Sequence, residues 1–145
     1  MHNAIYAEES WPVKSSSYRL EYVIGMGSFG LVWRALIEEG YHSSKAVAIK
    51  IINLDQFEDL SIAEIRKESQ IMGSSKHKNI VKEHATFIDG AYMWIVMTIL
   101  DAGSCIDIMR LTRNREAADG GAGIRDEKLV ASILRDTMEG LRYFH

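Results

Sequence analysis

Over the first hundred residues, apolar and β-branched positions come in short bursts separated by glycine and polar clusters, a pattern that predicts strands. Residues 18–24 and 31–36 are two such runs, rich in aliphatic and aromatic side chains, and the glycine-rich turn between them predicts an antiparallel hairpin. A polar interval follows, carrying Glu38, Glu39, Gly40, His42, Ser43 and Ser44. Residues 46–52 then read as a third strand, interrupted near its end by Lys50. Two more extended segments, 84–88 and 92–97, flank Asp89-Gly90, a dipeptide that favours a tight hairpin turn.

Helical spacing appears in three places. Ser61-Ile62-Ala63-Glu64 fits a capping box, in which serine accepts from the third helical amide and glutamate reaches back to the cap. Ile62, Ile65, Ser69 and Met72 then share one face, with Glu68 beside that stripe, until Gly73-Ser74-Ser75 ends it. Residues 104–111 predict a short helix, and residues 112–124, with Ala117, Ala118, Gly120, Gly121 and Gly123, a flexible surface loop. Asp126-Glu127 puts acidic residues at a helix start, where the dipole favours them, ahead of an apolar stripe of Val130, Ile133, Leu134, Met138 and Leu141. The expected fold is α+β: a five-stranded antiparallel sheet with one packed helix, followed by two helices whose apolar faces need a partner.

Charge and cysteine usage narrow the function classes. With 17 Lys+Arg against 20 Asp+Glu the formal net charge is −3, too small to capture nucleic acid or an anionic membrane electrostatically. Cys105 has no second cysteine to pair with, and the five histidines lack metal-ligand spacing. The first ten residues have no basic leader or apolar core, and the apolar stretch 92–100 falls well short of the roughly 20 residues of a membrane-spanning helix. A cytoplasmic setting is expected, with no bound metal among these side chains.

The most specific string is Gly25-Met26-Gly27-Ser28-Phe29-Gly30-Leu31-Val32. Glycines at this spacing let backbone amides approach phosphate oxygens with no Cβ in the way. Dinucleotide-binding proteins use the same string, but there it opens a helix, whereas here it joins two strands. Val47-Ala48-Ile49-Lys50 is the second string, placing a compact, mobile ammonium at the end of the third strand. Glu68, on the predicted helix, is placed to pair with that lysine. Taken singly, each has an ordinary alternative: a glycine-rich hairpin, a solvated strand-end lysine, a helix-surface glutamate. Their order along the chain makes the combination informative.

From Trp11-Pro12-Val13 to Tyr143-Phe144-His145 the chain resembles the N-terminal part of a protein kinase domain of the sterile-20 group, most similar to the oxidative-stress-responsive and proline-alanine-rich kinases. The resemblance implies a nucleotide site. The loop Gly25, Met26, Gly27, Ser28, Phe29 and Gly30 would cover ATP phosphates, Lys50 would contact the α- and β-phosphates, and Glu68 would hold Lys50 in place. Ile24, Val32 and Ala48 would line the adenine pocket, Met97 would be the gatekeeper, Thr98 to Leu100 the hinge whose backbone meets adenine, and Asp107 would lie near the ribose. It also implies an N-terminal extension over 1–17, a small lobe over about 18–100, and a hinge and start of the large lobe over about 101–145. His77-Lys78-Asn79-Ile80-Val81 is similar to the family's His-Pro-Asn-Ile-Val turn, with lysine in place of proline.

The strings His-Arg-Asp and Asp-Phe-Gly, which carry the catalytic base and a magnesium ligand in this family, do not occur in the 145 residues. The expectation is therefore the ATP-binding portion of a serine/threonine protein kinase that is inactive by itself. ATP is the expected ligand and a protein the substrate of the complete family domain, which also uses magnesium whose protein ligands are not among these residues. The alternatives are a non-catalytic nucleotide-binding or regulatory module, and a polypeptide that fails to accumulate because its last helices expose apolar faces.

Overall fold

The computed structural model describes residues 10–27, 30–56, 75–115, 124 and 126–144. Five strands form one antiparallel sheet: β1 (Tyr18–Gly27), β2 (Gly30–Ile37), β3 (Ala46–Asn53), β4 (Glu83–Asp89) and β5 (Tyr92–Met97), in the order β1-β2-β3-β5-β4. The expected α+β class holds, and all five expected strands are present. The helix expected over 61–72 lies outside the described residues. Two helices follow, α1 (Cys105–Arg115) and α2 (Glu127–Tyr143).

β3 lies in the middle of the sheet and is a nearly unbroken apolar run with no fully exposed residue. Pairing in register puts Trp33, Ile49, Val96 and Ala85 in one row across the sheet, and Leu31, Ile51, Trp94 and Phe87 in the next. These rows belong to one face, where Ile49 and Val96 have no solvent exposure and join Tyr18, Ala35, Ile37 and Val47 in a core. Trp11 and Leu20 pack on the margin of that core. The Tyr18 hydroxyl donates to the Pro12 carbonyl at 2.6 Å, tying the segment before the sheet to its first strand. Burial pushes that phenol up to about 12.

Two expectations need correction. The first hairpin does not stop at Ile24: its ladder continues as Gly25–Val32, Met26–Leu31 and Gly27–Gly30, so all three glycines are strand residues. Register shifts between Leu20 and Tyr22 and between Val23 and Gly25 bend this ladder, as bulges do. Residues 112–115, expected to be loop, are helical, because α1 runs on to Arg115: threonine, arginine and asparagine there cost a helix too little to end it.

By internal contact the chain divides into two compact units, Met1–Ser75 with Val81–Ile99, and Lys76–Ile80 with Leu100–His145. The sheet belongs to the first and both helices to the second. α2 starts as its sequence predicts, with the Asp126 carboxylate accepting from the Lys128 and Leu129 amides at 2.9 and 3.2 Å. Its C-terminal half is seated on the turn 76–80. Asn79 Nδ2 donates to the Asp136 carbonyl at 2.8 Å, and Gly140 comes so near the Asn79 carbonyl that an added Cβ would stand 3.2 Å from it. Leu134, Met138 and Leu141 from the predicted stripe stay at least half exposed. No helix among the described residues is long and apolar enough to cross a membrane.

Candidate functional site

The strand register decides which candidate side chains share a face. Val32 pairs with Lys50 and Lys50 with Ile95, giving one row, while Arg34, Ala48 and Met97 make the adjacent row. Directly opposed residues project to the same side of an antiparallel sheet, and residues two apart along a strand do likewise. Val32, Ala48, Lys50 and Met97 therefore stand together on the face opposite the core. Ala48 is buried, and Val32, Lys50 and Met97 are half-buried. Ala48, the smallest of the four, lies between Arg34 and Met97 in its row, with Val32 and Lys50 in the row beside it.

Gly25 opposes Val32 at the edge of this face. A Cβ added there would meet Val32 at an ordinary 3.7 Å, and one at Gly27 would find the Gly30 carbonyl oxygen at 3.9 Å. Neither glycine is forced by the protein's own packing. Gly30 is different: its φ of +144° is one that side-chain-bearing residues rarely adopt, and a Cβ would clash with the Ile51 carbonyl oxygen. The hairpin thus needs Gly30 to lie on β3 and keeps bare backbone at Gly25 and Gly27. Met26 shares its register with Leu31 and Ile51, the opposite side from Lys50, and is 83% exposed. Ile24 falls within the bulge and is partly exposed. Ser28, Phe29 and Glu68 lie outside the described residues.

Thr98 follows β5. Its amide donates to the Lys82 carbonyl at 3.0 Å, and its Oγ1 shares a 2.9 Å hydrogen bond with His84 Nε2. In the second unit, Leu100 is 65% exposed, and Asp107 is occupied locally. The Ser104 amide and hydroxyl donate to Asp107 Oδ2 at 2.8 and 2.6 Å, and the Asp107 amide donates back to Ser104 Oγ at 3.3 Å. This is a reciprocal capping box at the start of α1. Hydrogen bonds from the Ser104 side chain and backbone, with a smaller contribution from Arg110, hold the Asp107 carboxyl below the usual carboxylate range.

Three features escaped the sequence reading. Arg34 shares the row of Ala48 and Met97, forms an ion pair with Glu21, and holds its guanidinium 5.8 Å from the Tyr22 ring centroid. Its two-residue spacing from Val32 was the available signal. Lys78, where the family turn has proline, reaches Glu139 of α2 at 3.1 Å and holds that carboxyl below its usual range. His84 sits at the register shift between Glu83 and Ala85, a bulge that nothing in the local pattern marks.

The protein kinase domain family model matches residues 18–145. The chain belongs to the protein kinase family. This kinase-family chain is 36% identical over 137 residues to serine/threonine-protein kinase fray2 of Dictyostelium discoideum, covering 94% of the chain and 12% of that protein. Germinal center kinase 3 of Caenorhabditis elegans is 34% identical over 138 residues, covering 94% of the chain and 22% of that relative. Serine/threonine-protein kinase ppk11 of Schizosaccharomyces pombe is 34% identical over 133 residues, covering 92% of the chain and 38% of that relative. The kinase chain therefore spans well under half the length of each of these relatives. The sterile-20-like resemblance read from the sequence is the one these matches bear out.

Proposed function

We propose that this chain is the ATP-binding portion of a serine/threonine protein kinase whose family reaction transfers the γ-phosphate of ATP to protein serine or threonine. The observation that carries the reading is the shared sheet face of Val32, Ala48, Lys50 and Met97, bordered by the bare backbone of Gly25 and Gly27. Adenine is flat and apolar on its faces, and Ala48 leaves room that a larger residue would fill. Lys50 supplies the point charge that phosphate oxygens require, in the row next to Ala48. The Thr98 amide is already committed to Lys82, so at that strand end the carbonyl is the group offered to the adenine amino hydrogens. Leu100 would add hinge backbone and Asp107 would lie near the ribose, while Glu68 would hold Lys50.

In this reading residues 18–100 form the small lobe, 101–145 the hinge and start of the large lobe, and 1–17 an extension. The setting is cytoplasmic. Magnesium would travel with the nucleotide, neutralising phosphate charge when bound. The 145-residue polypeptide binds ATP without transferring phosphate, because the catalytic Asp and the Asp-Phe-Gly string are not among its residues.

Thermal unfolding with and without ATP tests the binding. Ligand at about 100 times its dissociation constant should stabilise the fold by about 2.7 kcal/mol. Ala48→Phe, which fills that room, should abolish that shift, and an equal shift in the variant would refute the site. Labelled phosphate appearing on a protein substrate, and lost with Lys50→Ala, would refute the inactivity.

A further inference from the structure

Trp11 precedes the segment that matches the kinase family, yet its indole is fixed against the domain's sheet. Two imidazoles stack on it, His42 at 4.1 Å between ring centroids and His84 at 3.8 Å, with interplanar angles of 21° and 14°. The Lys45 ammonium lies 5.1 Å from the indole centroid. Trp11 thus joins three separate pieces of the unit: the segment before β1, the connection between β2 and β3, and the bulge in β4. Its own position is held by the neighbouring Pro12 carbonyl, which accepts from the buried Tyr18 hydroxyl. The stack ends on β4 but reaches the end of β5, the strand that leads to the hinge, since the bulge aims His84 so that Nε2 meets Thr98 Oγ1 at 2.9 Å.

We propose that Trp11 and His84 are positioning residues for the nucleotide: the indole holds the His84 imidazole against Thr98 and so sets where the end of β5 presents its carbonyl to adenine. This rests on the reading of the Ala48–Lys50 face as the nucleotide site. Thr98 has two anchors, the backbone bond to Lys82 and the side-chain bond to His84. The first fixes its height beside β4, and the second limits its rotation about the strand axis. A residue immediately after a strand has no further ladder bond to do that. The extension acts on the site through packing and one hydrogen bond, without touching the ligand.

The test uses the 145-residue chain and two readouts. Amide hydrogen exchange at Thr98, measured without nucleotide, reports the relay itself, and titration with a fluorescent ATP analogue reports its consequence. Trp11→Leu should speed Thr98 exchange and weaken the analogue about fivefold, the size of one hydrogen bond's contribution. Trp11→Phe, which keeps a ring for the imidazoles, should recover most of both. In a Thr98→Val background Trp11→Leu should weaken binding no further, because the link is already cut. Should Trp11→Leu fail to fold, Thr98→Val and His84→Gln each break the link directly, and faster exchange at residue 98 is expected in both. Wild-type exchange at that amide in folded variants would overturn the relay even if the analogue binds. Responsive exchange in a chain that binds no analogue would overturn the nucleotide role and the site reading, leaving only the mechanical coupling.

Discussion

Gly25 and Gly30 belong to the same motif but do different physical work. Only Gly30 combines a positive φ with a carbonyl oxygen where a Cβ would go, so Gly30→Ala should cost about 1–3 kcal/mol in denaturant unfolding. Gly25→Ala has ordinary space and should change stability by no more than about 0.5 kcal/mol while weakening nucleotide binding. His84 gives a second prediction. Burial first, then the charges of Lys82, Lys45 and His42, lowers its pKa from 6.5 to about 4. Nδ1 is buried without a hydrogen-bond partner among the described residues, so a second ring proton would have no acceptor. As pH falls from 6.5 to 4 the unfolded chain takes up the proton that the folded chain resists. This contribution is therefore complete above pH 6.5 and lost on acidification through that window. His84→Gln should flatten that limb of a stability-against-pH curve, and an unchanged limb would show that other groups cause it.

Strands were legible in the sequence to within a few residues, because alternation and β-branching survive in the packed sheet and Asp89-Gly90 marks its turn. The ends of elements were less so. β1 runs through the glycines because pairing with β2 outweighs their poor strand propensity, and α1 outlasts its apolar run because nothing in residues 112–115 breaks a helix. Motif residues on β2 and β3 could be found from spacing alone. The contributions of Arg34, His84 and Asp107 depend on register, a bulge and a local cap, for which the two-residue spacing of Arg34 from Val32 was the sequence signal available. The seat of α2 shows the same limit: residues 77–81 resemble a family string, with lysine in place of proline, but the string does not say that Asn79 holds a helix. Asn79→Ala should destabilise that unit by about 1–2 kcal/mol, measured by exchange protection in α2. Lys78→Ala should leave that protection essentially unchanged, since its pair with Glu139 is exposed.

At the scale of the molecule, the sheet is organised around β3, with a hydrophobic core on one face and candidate nucleotide-contacting residues on the other. Ile49, fully buried at the centre of that core, supports the strand that carries Ala48 and Lys50, so Ile49→Ala should cost about 2–5 kcal/mol and disturb both faces. The most direct test of the central claim is a titration of the chain with a fluorescent ATP analogue, beside Lys50→Ala shown to be folded by circular dichroism. Saturable binding that the substitution weakens at least tenfold, about 1.4 kcal/mol, is the predicted result. Equal affinity in the two proteins, or no saturable binding by the folded wild-type chain, would contradict it.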